Sequence, residues 1–272
     1  MISSPRGSLA LFGVLTVAGV SSTPGAVSAQ SLDERSLSSI PISEPLLLPP
    51  YADPEGSHRL LSKLRRSRPE DLDLHIAAAR ETSALGMLAG SREERRALLV
   101  EAVEAARAAV ALDSMDVEAS YWLAASLGLL SDYAGVRAKI SLAREAHEEV
   151  LRTLTLDPSH GGGHHILGRL HAGARRLSWA SRVVARGFGL GAILAEASWQ
   201  SAEYHMRVAV EEDPGQLVHH YELGKLLVEV RGKREEGLAI LADLATRNPR
   251  HAVDAYYSAR ARRALETFSE GS

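Results

Sequence analysis

The chain is expected to fold as an all-α, tetratricopeptide-like solenoid of helical hairpins, with a long helical insertion and a C-terminal capping helix. Recurrent punctuation points to this first: Leu112-Asp113-Ser114, Leu156-Asp157-Pro158, Glu212-Asp213-Pro214 and Arg247-Asn248-Pro249 each break an apolar helical pattern. Composition points the same way, since aromatics make up only 5% while alanine and leucine abound, which suits close helix packing better than a β-branched sheet. The third observation is a partial tetratricopeptide pattern, in which a leucine and a small residue open a unit and spaced alanines with a proline close it. Such a unit cannot bury its apolar face alone, so neighbours stack.

Residues 1–29 read as an export leader, with Arg6 as the basic start, Leu9 to Val20 as an apolar stretch too short to span a bilayer comfortably, and Val27-Ser28-Ala29 as the cleavage site before Gln30. The protein is therefore expected in the periplasm or outside the cell. Residues 30–57 carry Pro41, Pro45, Pro49, Pro50 and Pro54, which oppose regular helix, and are read as a linker. The solenoid is assigned to 58–268, the insertion to about 175–196, and a tail to 269–272.

Helical periodicity is expected from Pro69-Glu70-Asp71 to Gly90, and Ser91 with Glu94 resembles a capping box for the next helix. There Leu98, Leu99, Ala102, Val103, Ala106, Ala109 and Val110 form one stripe. The second unit opens at Leu123-Ala124 and closes through Ala146, Val150 and Pro158. The third opens at Leu167-Gly168 and closes only at Ala202, Met206, Ala209 and Pro214. The fourth opens at Leu223-Gly224 and closes through Gly237, Leu241, Leu244 and Pro249. His251 to Phe268 reads as the cap, with Arg260, Arg262 and Arg263 keeping its outer face wet. Ser114 to Pro158 is 44 residues and Pro158 to Pro214 is 56, against 35 for Pro214 to Pro249, so two units are expected to carry insertions.

Glu118-Ala119-Ser120-Tyr121-Trp122-Leu123-Ala124, Gly135-Val136-Arg137-Ala138-Lys139-Ile140, Leu156-Asp157-Pro158, His164-His165-Ile166-Leu167-Gly168-Arg169 and Leu177-Ser178-Trp179 follow one another in an order that resembles the regulator of microtubule dynamics family. The likeness covers roughly residues 60 to 250. It implies a tetratricopeptide domain without enzymatic activity, linked in eukaryotic members to microtubules, organelle contacts and, in one branch, phospholipid binding and transfer. An export leader departs from that setting.

The chain has no cysteine, which excludes disulfides and thiolate metal sites. Its formal charge is −3, or −4 once the leader with Arg6 is removed, and that balance argues against a nucleic-acid binder. His147-Glu148 lacks a second histidine at Leu151, Gly224-Lys225 has His219 where a phosphate loop needs glycine, and Gly187, Gly189 and Gly191 follow no strand. No cofactor and no catalytic residue is assigned; a metal-dependent enzyme using the histidines is the least favoured reading. His160, His164, His165 and His171, with the doublet His219-His220, are attributed to repeated packing, and the glycines between His160 and His164 are expected to be non-helical.

Counting from Leu167 and Leu223 places Tyr121, His165 and Tyr221 in one row, with Arg169 and Lys225 in the next. By the resemblance these rows face the concave surface, where they would receive an anionic group of a peptide or protein partner. The alternative is phospholipid bound in an apolar cavity near the insertion. There Leu177, Trp179, Val183, Val184, Phe188, Leu190, Ile193 and Leu194 with Arg175, Arg176, Arg182 and Arg186 would form a lipid or peripheral membrane patch. For these apolar groups, burial over a gap in the core is the expectation preferred.

Overall fold

The computed structural model describes residues 53–270. The leader, linker residues 30–52 and the last two tail residues lie outside them. Twelve helices and no strand occur among the described residues: α1 (Pro54–Ser67), α2 (Leu72–Leu88), α3 (Arg92–Leu112), α4 (Val117–Ser131), α5 (Val136–Leu156), α6 (Gly161–Arg176), α7 (Trp179–Gly187), α8 (Gly191–Glu196), α9 (Trp199–Glu212), α10 (Leu217–Glu229), α11 (Arg234–Thr246) and α12 (Ala252–Glu270).

Four hairpins stack in order: α2 with α3, α4 with α5, α6 with α9, and α10 with α11. The third is the interrupted unit expected from sequence, and α7 and α8 are its insertion. The other long unit holds no extra element. Its length comes from α5, which, like α3, runs 21 residues against 13 for α11.

The punctuation is one turn geometry repeated along the chain. Asp113, Asp157 and Asp213 each end a helix by donating the backbone N–H to the carbonyl four residues back, of Ala109, Thr153 and Ala209. Each then closes a turn by accepting from the residue three further on: Asp116, His160 and Gln216. Proline or serine sits at the second turn position, where a fixed φ near −65° costs nothing. Arg68-Pro69 forms the same turn onto Asp71. The helix expected to begin at Pro69 therefore begins at Leu72, with Asp71 as N-cap accepting from the Leu74 amide at 3.3 Å. Replacing that cap, Asp71→Ala, is expected to cost about 1 kcal/mol in denaturant unfolding.

The linker gives way to helix earlier than expected, because Pro54 occupies the first turn of α1, where its missing N–H is harmless, and Asp53 caps it through the Gly56 amide at 2.9 Å. Small residues set the approach within the hairpins. Ala102, Ala146 and Ala202 are fully buried at the same position of α3, α5 and α9, where α11 has Gly237. A Cβ on Gly237 would lie 2.6 Å from the Gly224 carbonyl oxygen and 2.7 Å from the Val228 amide, so α10 and α11 touch backbone to backbone.

The array curls until its ends meet. Ala84, Met87 and Leu88 of α2 share a cluster with Leu217 and Tyr221 of α10 and with Val253, Tyr257 and Ala261 of α12. The Tyr257 hydroxyl donates to Met87 Sδ at 3.6 Å. α12 is thus a cap that also joins the last hairpin to the first.

Candidate functional site: the inner face

The turn geometry fixes which residues of the opening helices are equivalent. Tyr121, His165 and Tyr221 each fall seven residues after the turn's proline or serine, as the row assignment required. The doublets, however, are out of register by one residue: His164, not His165, corresponds to His220. The reason is a repeated clamp, in which Nε2 of His75, His164 and His220 each lies 2.9 Å from the carbonyl oxygen of Pro69, Pro158 and Pro214, six residues earlier. A carbonyl only accepts, so each Nε2 carries the proton and each Nδ1 is left as acceptor when the ring is neutral. For His164 that acceptor takes the Nδ1–H of His205 at 2.8 Å.

The equivalent row does not form one site. Tyr121 packs against the rings of Trp122 and His160, at 4.9 and 4.6 Å, and covers Gly162, where a Cβ would come within 2.5 Å of its ring. This contact explains glycine at the start of α6, and Gly161 to Gly163 are helical, contrary to expectation. His160 caps them by accepting the Gly163 amide at Nδ1, 3.0 Å away. His165 is buried against the ring of His219 at 4.7 Å, and its burial, with His219 and Arg169 adding, holds it well below its ordinary pKa.

The remaining three residues do converge. Arg169 of α6 keeps 34% of its side chain exposed and lies 3.6 Å from Asp132, while Lys225 of α10 lies 3.6 Å from Glu222. Tyr221 is buried beneath both Lys225 Nζ, 5.2 Å from its ring centre, and the Arg260 guanidinium at 5.1 Å. Arg260 Nε donates to the Tyr221 hydroxyl at 3.2 Å and Nη1 to the Tyr256 hydroxyl at 2.7 Å. Arg260 was expected on the outer face; α12 instead turns it inward because Tyr256 and Tyr257 pack that side of the helix against Tyr221. Sequence reasoning also missed Glu222. Burial pushes its carboxyl up, yet Arg169, Lys225, Arg260 and Arg176 outweigh that and keep it below the usual carboxylate range. The spacing of Tyr256 and Arg260, one helical turn apart, was the signal available.

A second cluster joins α6 to α9. His171 Nδ1 is hydrogen-bonded to the Ser201 hydroxyl, and His205 lies between the rings of His164 and His171. Burial first, then the neighbouring His164 and His171, pushes His205 down to about 4. No group of three or more metal-ligating side chains able to hold an ion occurs among the described residues.

The insertion is split. Ala185, Leu190 and Ile193 are buried with Ala174, and Leu177 and Leu194 pack against them together with Ile140 and Ala143 of α5. Yet Trp179, Val183, Val184 and Phe188 are 80, 52, 49 and 48% exposed, so the expected burial holds for α8 and fails for α7. Arg182 of the suggested lipid patch is half-buried and donates to the Arg175 carbonyl at 2.9 Å. No helix among the described residues is long and apolar enough to cross a membrane.

Comparison with known proteins agrees with this architecture. A family model described as regulator of microtubule dynamics protein 1-3 matches residues 50–269. Regulator of microtubule dynamics protein 1 of Bos taurus is 29% identical over 133 residues, 48% of this chain and 41% of that protein. The protein of the same name from Pongo abelii is 27% identical over 182 residues, 66% of this chain and 57% of that one. The matches thus span about half the length of these relatives. A crystal structure of a thermophilic TPR protein from Thermus thermophilus superposes with a TM-score of 0.51 at 17% identity, covering 76% of this chain and 90% of that one, a likeness of fold alone.

Proposed function

We propose that this chain, which belongs to the regulator of microtubule dynamics protein 1-3 family, is a non-catalytic interaction module. In this reading it holds a segment of a protein partner by an anionic end at the inner face of the solenoid. The observation that carries the reading is Lys225 and Arg260 lying over the ring of buried Tyr221, 5.2 and 5.1 Å from its centre, with Arg260 oriented by the Tyr221 and Tyr256 hydroxyls rather than consumed by an ion pair; Arg169 adds to the positive field that holds the nearby Glu222 carboxyl down. A guanidinium fixed by a ring beneath it and hydroxyls at its edge is pre-organised for a carboxylate, which recovers more of each charge-assisted hydrogen bond than a mobile lysine would.

Export through the leader at residues 1–29 belongs to the same proposal, and a mature N-terminus at Gln30 is its expected outcome by N-terminal sequencing.

The test is selection from a random peptide pool with free C-termini against the wild type and against Arg169→Glu and Lys225→Glu. Selected peptides are expected to end in acidic residues and to lose at least roughly tenfold in affinity with either variant, the scale of one charge-assisted hydrogen bond. Unchanged affinity removes the inner face from the reading. Native mass spectrometry of protein purified without detergent separates the alternative: stoichiometric phospholipid would put a lipid-binding module in first place, whereas an empty mass keeps the peptide reading.

A further inference from the structure

The solvent side of α7 is inverted. At 100° per residue, Trp179, Val183, Gly187, Ala180 and Val184 follow one another over about 140° of the helix, Phe188 caps its end, and all of them are exposed. No charged side chain falls in that arc. The opposite side carries Ala185, the one buried residue of α7, and half-buried Arg182. Surface helices of globular proteins have the reverse arrangement, with the apolar stripe inward.

Two exposed cations flank this face. Arg137 and Arg186 are exposed and have no carboxylate within ion-pair distance among the described residues, whereas Arg175 and Arg182 are half-buried, Arg182 donating to the Arg175 carbonyl. Arg137 lies over the Phe188 ring at 5.8 Å, which ties one of the unpaired cations to the edge of the apolar arc.

We propose that α7 is a membrane-docking helix that lays Trp179, Val183, Val184 and Phe188 into the interfacial region of an anionic bilayer, with the exposed Arg137 and Arg186 at the rim of this face meeting the headgroups. A single convex helix with an uncharged apolar arc of about 140° and Phe188 at its end matches a flat, deformable interface, and tryptophan is the side chain that interface accommodates best. Arg137 and Arg186 supply the charge complementarity, each multiplying the partition onto an anionic surface by roughly five. This surface is separate from the inner face and does not depend on the peptide-binding reading.

The experiment is flotation of the full chain with vesicles of phosphatidylcholine alone and of phosphatidylcholine with about a third phosphatidylglycerol, combined with quenching of tryptophan emission by brominated acyl chains. Trp122 is buried and Trp199 half-buried, so contact quenching would report Trp179. The expected result is binding to the anionic vesicles only, with quenching that Trp179→Phe abolishes while binding persists. Trp179→Ser with Phe188→Ser should lower the bound fraction at least about tenfold with the thermal unfolding midpoint unchanged. Equal binding to neutral vesicles, binding that survives the double serine variant, or emission that bromolipid leaves untouched would overturn the proposal. So would a dimer in sedimentation velocity that the double serine variant dissolves, which would assign the face to a second copy of this chain.

Discussion

Acidification from pH 7 to about pH 4 should destabilise this protein by several kcal/mol before its carboxylates are neutralised. His147, His165, His171, His205 and His219 all have pKa values lowered chiefly by burial, His205 to about 4. In an unfolded chain these rings titrate near 6.5. Between those values the unfolded state binds more protons than the folded one, so stability is full above about 6.5 and falls as the pH drops through the window. His205 alone contributes roughly 3 kcal/mol at about 1.4 kcal/mol per pKa unit. His160, which Glu118 and other acids raise against burial, works in the opposite sense and trims the total. The lowered carboxylates Asp157, Glu203, Asp213 and Glu222 lose their contribution at still lower pH. Urea unfolding at steps between pH 7.5 and 4 should show the slope, and His205→Phe should flatten it. A stability independent of pH across this window would mean the histidines are not buried as neutral rings.

Gly237→Val should cost more than about 3 kcal/mol and unfold the last hairpin with its cap. The added side chain meets backbone, the Gly224 carbonyl oxygen and the Val228 amide, which no rotamer change relieves. Overpacking a rigid contact costs typically 1–3 kcal/mol, and a backbone contact belongs at the upper end or beyond. Gly173 in α6 is the matched control, because a Cβ there meets nothing within 4 Å. Gly173→Ala should stabilise by roughly 0.5–1 kcal/mol through helix propensity. Thermal unfolding of the pair separates close approach from mere helix weakening.

Legibility in the sequence followed the range of the interaction. Turns, caps and the alanine and glycine crossings are local or repeat at fixed intervals, so the hairpins and the interrupted third unit were readable. Pro54 and Pro69 were misjudged because proline is permissive at a helix start and in a turn but forbidding inside a helix, and position decides which. The glycines at 161–163 looked like breakers because their partners, Tyr121, Asp213 and Leu154, come from other helices and from the turn after α9. The inner face was half legible: Arg169, Lys225 and Tyr221 follow from repeat register. Arg260 and Tyr256 reach the site only because the solenoid curls far enough to bring α12 against α10 and α2, which no local pattern encodes. The outward face of α7 was likewise hidden, since periodicity shows an apolar side without saying which way it points.

The central claim is that Arg169, Lys225 and Arg260 read an anionic end, and isothermal titration of one selected peptide in free-acid and C-terminal amide forms tests it most directly. The acid form should bind at least about tenfold tighter, and the difference should collapse in Arg169→Gln and Arg260→Gln. Equal affinities of the two forms, or a preference that survives both variants, would contradict it.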